Sequence, residues 1–344
     1  MSLVVKHGGA ELPSVVVDAY NAEIKDGDGF LGDRATNRAF RAVVDEVRRR
    51  FAAGGEDPLG PTKAVAMKKT ELDRFLTDGT PDQAAILHTA IEEFSVTLTG
   101  VVRRILGLPA WAGTERIVVG GGMRDSRAGE LVIGRAHLLL REGGLDTDLV
   151  PIRHHPDEAG LLGGAHLAPS WVFKGHDSIL AMDIGGTNVR AGLVVLNQKR
   201  GPKLDRTQVQ GREHWRHRDD KPSRSVAVAR IIEMLQRLIR RATREGHALA
   251  PFLAVGCPGV IEEDGSIDRG GQNLPGDWEH ERFNLVATLA EEMPRIDGHR
   301  ITVSMHNDAV VQGLSEMPFM QDVGRWGVIT IGTGLGNARF TNRT

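Results

Sequence analysis

The sequence predicts an α/β protein with about two domains, and three observations support this. Its 344 residues are enough for two hydrophobic cores. Short apolar segments alternate with amphipathic segments of helical period, which is typical of strands that alternate with helices. Finally, residues 179–197 and 326–341 each form an apolar strand, a glycine turn and a second apolar strand.

The composition excludes several classes of protein. Hydrophobic residues make up 40%, charged residues 26%, and the formal net charge is -2, so nucleic acid and anionic membranes are not expected partners. The single cysteine, Cys257, excludes a disulfide framework and a multi-cysteine zinc site. No apolar run approaches the length of a membrane span and the start lacks a signal-peptide pattern, so we expect a cytoplasmic protein.

In the first half, the hydrophobic pattern predicts four helices and two strands. Pro81 near the start of the second helix supports its position, and the Gly- and Pro-rich segment 54–62 ends the first. The predicted helices are 36–53, 81–107, 127–141 and 157–171, and the predicted strands are 116–122 and 149–155.

In the second half, strands and glycine turns dominate the pattern. Residues 198–225 are polar and crowded with charge, which predicts an exposed loop. The other predicted elements are a hairpin at 178–197, a helix at 226–245, a strand at 252–261, a strand and helix within 300–317, and a hairpin at 325–342.

The first glycine turn carries candidate phosphate ligands. Backbone N–H groups at Gly185 and Gly186 can approach phosphate oxygens closely, and Thr187 and Asn188 add side-chain donors. Asp183 ends the preceding strand, where its carboxylate suits a hydrated Mg²⁺ ion. The alternative is a tight turn with an aspartate cap.

A second glycine turn, Gly332-Thr333-Gly334, is a candidate second half of the phosphate site. Its alternative is a plain hairpin turn, for which such residues are well suited. Three further glycines after a strand would let an adenosine lie against bare backbone: Gly120, Gly121 and Gly122.

Asp308 is the candidate catalytic residue, because phosphoryl transfer to an alcohol needs a base for the attacking hydroxyl. Its position between a strand and a helix also suits an N-cap, which is the commoner role. Asn307, Asn273 and Gly259 lie in polar loops that are candidates for binding the acceptor's hydroxyl groups.

Taken together, these motifs resemble the ROK family, named for repressors, open reading frames and sugar kinases. The matching segments are "DIGGTNVRAGLV", "VGCPGVIEEDGSI", "NLPGDW", "HNDAVVQGLSE" and "TIGTGLGN", which follow the family's usual order over 178–341. The first half resembles the family's later part, through "RIVVGGG" and "EAGLLGGAHLA". The chain therefore resembles a circularly permuted member, in which the back half precedes the front half.

The resemblance has two departures. If the chain's two ends were joined, Glu11 would lie about two dozen residues after Gly332, where the family has the glutamate of an E-x-G-H motif. The histidine of that motif binds sugar in the family, and here Ser14 stands in its place. The family's cysteine-rich zinc motif is also absent, so the resemblance implies no structural zinc site here.

The resemblance implies a two-lobed actin-like ATPase (ribonuclease H-like) fold with a cleft. The large lobe would comprise 1–156 and 323–344, the small lobe 178–322, and 157–177 would be a closing helix packed on the small lobe. The implied activity is ATP- and Mg²⁺-dependent phosphorylation of a hexose or N-acetylhexosamine by a homodimer, with Glu11 among the sugar ligands. The alternatives are a sugar-binding protein without catalysis, a sugar-sensing repressor, and polyphosphate as donor.

Overall fold

The computed structural model describes residues 6–52 and 55–343. Residues 1–5 and 344 of the predicted large lobe, and the end of the predicted helix 36–53, lie outside the described residues. The chain forms two compact units. Unit 1 comprises Met1–Asn21, Asp157–Gly324 and Phe340–Thr344, and unit 2 comprises Ala22–Pro156 and Arg325–Arg339.

The strands, in chain order, are β1 (Val15–Tyr20), β2 (Lys25–Asp26), β3 (Gly29–Phe30), β4 (Arg116–Gly120), β5 (Asp148–Pro151), β6 (Ser178–Ile184), β7 (Val189–Val195), β8 (Gln208–Trp215), β9 (Leu249–Cys257), β10 (Val260–Ile261), β11 (Ile267–Arg269), β12 (Arg295–Ile296), β13 (His299–Arg300), β14 (Thr302–Asn307), β15 (Arg325–Ile331) and β16 (Leu335–Asn342).

The α-helices are α1 (Asn37–Ala52), α2 (Lys69–Thr77), α3 (Pro81–Leu106), α4 (Arg127–Glu142), α5 (Pro156–Gly163), α6 (His217–Asp220), α7 (Arg224–Glu245), α8 (Leu285–Glu292) and α9 (Asp308–Leu314).

The main sheet of unit 1 has the order β8-β7-β6-β9-β14 within the described residues. Strands β7 and β8 run antiparallel to their neighbours, whereas β6, β9 and β14 are parallel to one another. Every residue of β6 is buried, as expected for a central strand covered on both faces. Because β6, β9 and β14 are parallel, their carboxyl ends lie at one edge of the sheet.

The other large sheet has the order β1-β16-β15-β4-β5, with β15, β4 and β5 parallel. The two large sheets have the same strand order. The strands that correspond are β15 and β6, β16 and β7, β1 and β8, β4 and β9, and β5 and β14. In that match β1 follows β16, although it comes first in the chain. The hairpins that carry the two predicted phosphate turns, β6–β7 and β15–β16, then occupy equivalent places.

Each unit has its own hydrophobic core. The core of unit 1 includes Met182, Leu253 and Trp278, and that of unit 2 is built around α3, with Phe94 and Leu98 fully buried. Helix α3 begins at a capping box, in which Thr80 Oγ1 accepts the N–H of Gln83 and Gln83 Oε1 accepts the N–H of Thr80.

Helix α3 corrects one expectation from the sequence. By length and composition it is apolar and long enough to cross a membrane, with a mean hydropathy of 1.2 over its most apolar 18 residues. More than half of that window is buried inside the protein. The apolar character of α3 therefore agrees with its place in the core of unit 2.

The prediction of an exposed loop over 198–225 was wrong in part, because β8 and α6 lie within it. Strand β8 is the edge strand of its sheet, and its exposed residues alternate with Gly211 and Trp215, which are buried. An edge strand with one solvated face requires few apolar residues, so its polar composition resembles that of a loop.

Other predicted elements differ in extent. Strand β5 ends at Pro151 rather than at 155, and α5 ends at Gly163, with short 3-10 turns covering part of the rest of the predicted helix 157–171. Strand β1 and helices α2 and α8 had not been predicted. The predicted helices α1, α3, α4 and α7 and the two hairpins are confirmed to within a few residues.

We expect Gly163→Ala to lower the free energy of unfolding by about 2–3 kcal/mol, because its new methyl group would overlap the backbone oxygen of Val311 in α9. The matched control is Gly134→Ala on the exposed face of α4, where a methyl group meets no atom within 4 Å. That change should stabilise the helix by about 0.5–1 kcal/mol. Thermal unfolding of both variants tests the packing of α5 on α9, which equal melting temperatures would contradict.

Candidate active site

Asp183 lies near the carboxyl end of β6, the central strand of unit 1, and is only 3% exposed. In the neighbouring strands it is paired with Arg190 of β7 and Gly256 of β9. Helix α5 closes over it, since a Cβ on Gly160 would lie 2.6 Å from the carboxyl carbon of Asp183. Only a glycine permits this approach, and the carboxylate is therefore held in a fixed, enclosed position.

The first glycine turn follows directly and is braced by β8 and α6. The N–H of Gly185 donates to Asn188 O at 2.8 Å, which closes the turn. His217 Nε2 lies 2.8 Å from Gly185 O, and His214 Nε2 lies 2.9 Å from Asn188 Oδ1. The side-chain oxygen of Asn188 is thus engaged with His214, and the predicted donor of this side chain is its Nδ2.

Asp308 and Asn307 stand where β14 passes into α9, and their roles at the helix start differ from expectation. Asn307 is the N-cap: its Oδ1 accepts the N–H groups of Ala309 at 3.0 Å and Val310 at 3.4 Å. Its Nδ2 donates to Gly259 O at 2.9 Å. Asp308, already the first residue of the helix, is partly buried and accepts only a local bond from Ala309 N. Its carboxylate is therefore available for chemistry.

The two aspartates lie on either side of Gly256. A Cβ on that glycine would be 3.5 Å from Asp183 Oδ1 and 3.6 Å from the Cα of Asp308. Burial and the charge of Asp183 raise the pKa of Asp308 to about 7. Burial also raises the pKa of Asp183, against the attraction of Arg190, whose Nη1 is 3.5 Å from Asp183 Oδ2.

Cys257 lies beside this pair and is fully buried. Burial, together with the charges of Asp308 and Asp183, raises the pKa of its thiol well above the usual value. A thiol that stays protonated is a poor nucleophile, so Cys257 serves as a packing residue.

The acceptor loops meet the phosphate turn. Gly259 has φ 99° and Gly270 has φ 90°, and the two pack back to back. Asn273 lies on the exposed surface against the phosphate turn, since a Cβ on Gly186 would be 2.7 Å from the Cβ of Asn273. Trp278 of the same loop is buried, and its indole N–H donates to Pro275 O at 2.8 Å.

Sequence reasoning missed a cluster at the back of the site. The ring of His306 is buried, which lowers its pKa to about 4 and keeps it neutral. Its Nδ1 accepts the N–H of Asn307 at 2.8 Å, so Nε2 carries the proton and donates to Gly9 O at 3.2 Å. Tyr20 packs edge-on against His306 and bonds to the backbone of Ile261. The one available signal was the isolated tyrosine of the sequence.

Glu11, the predicted sugar ligand, lies on the exposed surface in a short bridge with Val16. Its Oε2 is 3.1 Å from Arg343 Nη2. The carboxylate faces a cation near the end of the chain, and no bond among the described residues joins it to Asn307, Asn273 or Gly259.

In unit 2, the structure brings the two other glycine segments together. The N–H of Met123, which follows Gly122, donates to the oxygen of Ile331, which precedes Gly332, at 3.2 Å. The N–H of Asn37 donates to Gly332 O at 3.1 Å. A Cβ on Gly334 would meet no atom within 4 Å, so the backbone of this turn is open to a ligand. Gly120, Gly121, Gly122, Gly332, Thr333 and Gly334 thus lie at one edge of the unit 2 strands.

These features fit a nucleotide and a magnesium ion. Glycine backbone can offer N–H groups to phosphate oxygens, and the turn at Gly334 has space for a ligand, whereas Gly186 packs against Asn273. Asp183 provides a carboxylate oxygen, the ligand that Mg²⁺ prefers. In residues 6–52 and 55–343, no three His, Cys, Asp or Glu side chains are grouped so as to hold a metal by themselves.

The second half of the chain matches a known protein family. The sequence model of the ROK family matches residues 179–344. This match covers just under half of the chain. The match, together with the two α/β sheets, confirms the predicted resemblance and fold class. The order of the halves as a circular permutation is not confirmed, and no curated protein matches the chain.

Three solved structures illustrate what the chain is similar to. A ROK glucokinase from Streptomyces griseus with glucose and AMPPNP shares 20% identity over 48% of this chain and 46% of its own, with a TM-score of 0.35. A polyphosphate/ATP-glucomannokinase from Arthrobacter sp. shares 22% identity over 48% of this chain and 61% of its own, with a TM-score of 0.34. A ROK hexokinase from Thermus thermophilus shares 21% identity over 38% of this chain and 35% of its own, with a TM-score of 0.27. Each alignment spans about two thirds or less of either chain.

We expect Asp308→Asn to make the protein more stable than the wild type at pH 8. Below pH 4 Asp308 is protonated in both the folded and the unfolded chain, so it does not lower the free energy of unfolding. Between pH 4 and 7 the unfolded chain loses this proton first, so the wild type loses stability as the pH rises. The full difference between pKa values of 3.8 and about 7 is worth up to about 4 kcal/mol.

Unfolding of both proteins between pH 4 and 8 measures this effect. Asp146→Asn, at an exposed loop position, is the control for loss of one negative charge. A stability difference between wild type and Asp308→Asn that does not change with pH would contradict the expectation.

Proposed function

We propose that this chain is an ATP- and Mg²⁺-dependent kinase that phosphorylates a hydroxyl of a hexose or N-acetylhexosamine. The observation that carries the proposal is the carboxylate of Asp308, partly buried beside Asp183, with a pKa of about 7. Such a group accepts a proton at neutral pH and releases it again without a large cost. Its position in a ROK domain, close to the phosphate turn, supports this function.

In the proposed reaction, Asp308 takes the proton from the attacking hydroxyl. The acceptor oxygen forms a bond to the terminal phosphorus of the donor, the bond to the departing ADP oxygen breaks, and the proton remains on Asp308. Asn307 positions Asp308 by capping α9, and it connects the Gly259 turn to the start of this helix by donating to Gly259 O. Gly259 and Asn273 would bind the acceptor.

The donor side of the proposal uses the glycine turns. Because the Gly185 N–H closes the turn by donating to Asn188 O, the backbone N–H of Gly186, with the hydroxyl of Thr187, would bind phosphate in unit 1. In unit 2, the open turn Gly332–Gly334 would do the same, and Gly120–Gly122 would border the adenosine. When bound, magnesium supplies charge neutralisation for the phosphates, and Asp183 is the residue that would hold it.

A circularly permuted order is part of the proposal. The equal strand orders of the two sheets support it, because β1 takes the place that follows β16. Within unit 1 the chain's last described residue lies beside that early segment: the N–H of Arg343 donates to Ser14 O at 3.1 Å, and Thr341 Oγ1 lies 2.9 Å from Asp18 Oδ2. A short connection would therefore link β16 to β1.

A sugar-binding protein without catalysis is the second candidate. It is favoured by Ser14, which replaces a sugar-binding histidine of the family, and by Glu11, whose carboxylate is paired with Arg343. The two candidates differ in one measurable property, which is turnover.

We expect sugar-dependent release of ADP from Mg²⁺-ATP, and we expect Asp308→Asn to lower kcat by about 10²–10⁴ because the base is lost. The assay tests hexoses and N-acetylhexosamines in turn. The wild-type kcat/KM should rise tenfold per pH unit below about 7 and level off above it, since Asp308 must be ionised. Chelation of magnesium should abolish turnover.

The control is Asp146→Asn, which should leave kcat unchanged. A folded chain that binds sugar and ATP but turns over no sugar would exclude the kinase and favour the second candidate. Full activity in Asp308→Asn would exclude Asp308 as the base.

We also expect a reordered chain, residues 178–344 followed by a short linker and residues 1–177, to fold with a melting temperature within a few degrees of the wild type. The reason is the contact between Arg343 and Ser14, which a linker would span without strain. As a control, the same linker can join the fragments in their present order. Failure of only the reordered chain to fold would contradict the permutation.

A further inference from the structure

Asn21 reaches the acceptor turn from a part of the chain distant in sequence. It directly follows β1, belongs to unit 1 and has φ 50°, in the left-handed region. Its Nδ2 lies 3.3 Å from the position that a Cβ would take on Gly270. The Cα of Gly259 lies 2.8 Å from the same position. The Asn21 amide is therefore placed at the paired turn that carries the predicted acceptor loop.

The amide of Asn21 is open to a ligand. It is partly buried, its polar atoms are not sealed from solvent, and no hydrogen bond holds its side chain within residues 6–52 and 55–343. The amide of Asn307 at the same turn is engaged on both atoms, with Gly259 O and with the start of α9. Of these two amides, that of Asn21 has both its N–H donors and its oxygen acceptor unused.

The backbone of Asn21 adds a second argument. A left-handed conformation costs a residue with a Cβ more than it costs glycine, although asparagine tolerates it better than most. A glycine would therefore serve the turn at lower cost, as Gly259 and Gly270 do nearby. What Asn21 adds at this position is an amide side chain directed at the Gly270 turn.

We propose that Asn21 is a further acceptor-binding residue, whose amide hydrogen-bonds a hydroxyl or acetamido oxygen of a neutral sugar at the Gly259–Gly270 turn. This inference rests on the proposed function. An uncharged amide suits an uncharged polyol, because it donates and accepts without requiring a counter-charge.

The test is equilibrium binding of glucose, mannose, N-acetylglucosamine and N-acetylmannosamine to the wild type, Asn21→Gly and Asn197→Gly. Asn21→Gly removes the amide and keeps the left-handed backbone without strain. Asn197 is the matched control, since it also lies in unit 1 with φ 48°, but its Nδ2 donates to Arg206 O in its own loop. Steady-state KM values for sugar and ATP accompany the binding data.

We expect Asn21→Gly to raise the Kd and KM for the preferred sugar roughly 3- to 10-fold, as for loss of one hydrogen bond, with the KM for ATP unchanged. Asn197→Gly should match the wild type. If the wild type binds a sugar and Asn21→Gly binds it equally well, the role of Asn21 is overturned while the proposed function stands. If the wild type neither binds nor phosphorylates any of the sugars, the acceptor site and the role of Asn21 both fail.

Discussion

The structure of unit 1 depends on keeping two carboxylates near each other in an enclosed site. Asp183 and Asp308 lie beside Gly256, one at the end of β6 and the other after β14. Two such charges repel each other and lose hydration, which is why the pKa of Asp308 rises to about 7. The surrounding packing must keep the two carboxylates together against their repulsion, and this requirement explains the roles of the residues around them.

Rigid supports surround the pair on each side. Helix α5 presses Gly160 against Asp183, and Arg190 supplies a partial counter-charge while its own guanidinium is held by Asp157 at 2.8 Å. On the other side, Asn307 caps α9 and so fixes the direction of Asp308. In the proposed reaction, Asp308 would act as a base held by a capped helix and a parallel sheet, with little freedom to turn away, which is what proton transfer at short range requires.

The acceptor side of the site uses neutral groups. His306 is buried without charge and serves as an acceptor for the N–H of Asn307 and a donor to Gly9 O. Asn273 and Asn21 present amides, and Gly259 and Gly270 present bare backbone. In the proposed function, such a surface would distinguish ligands by the positions of their hydroxyl groups, because each unmatched amide would lose its hydrogen bonds with water.

The sequence by itself determined the local chemistry: the glycine turns, the strand that ends in Asp183, the step from strand to helix at Asp308, and the strong helical periods of α1, α3, α4 and α7. These features are set by contacts between near neighbours in the chain, and the ordered series of motifs identified the ROK family. Only the tertiary structure decided that Asn307 rather than Asp308 caps α9, that β8 forms an edge strand in a polar segment, and that Tyr20, Asn21 and His306 gather behind the acceptor loops. These outcomes depend on packing between residues up to some 300 positions apart, such as His306 and Gly9, whose proximity no local pattern encodes.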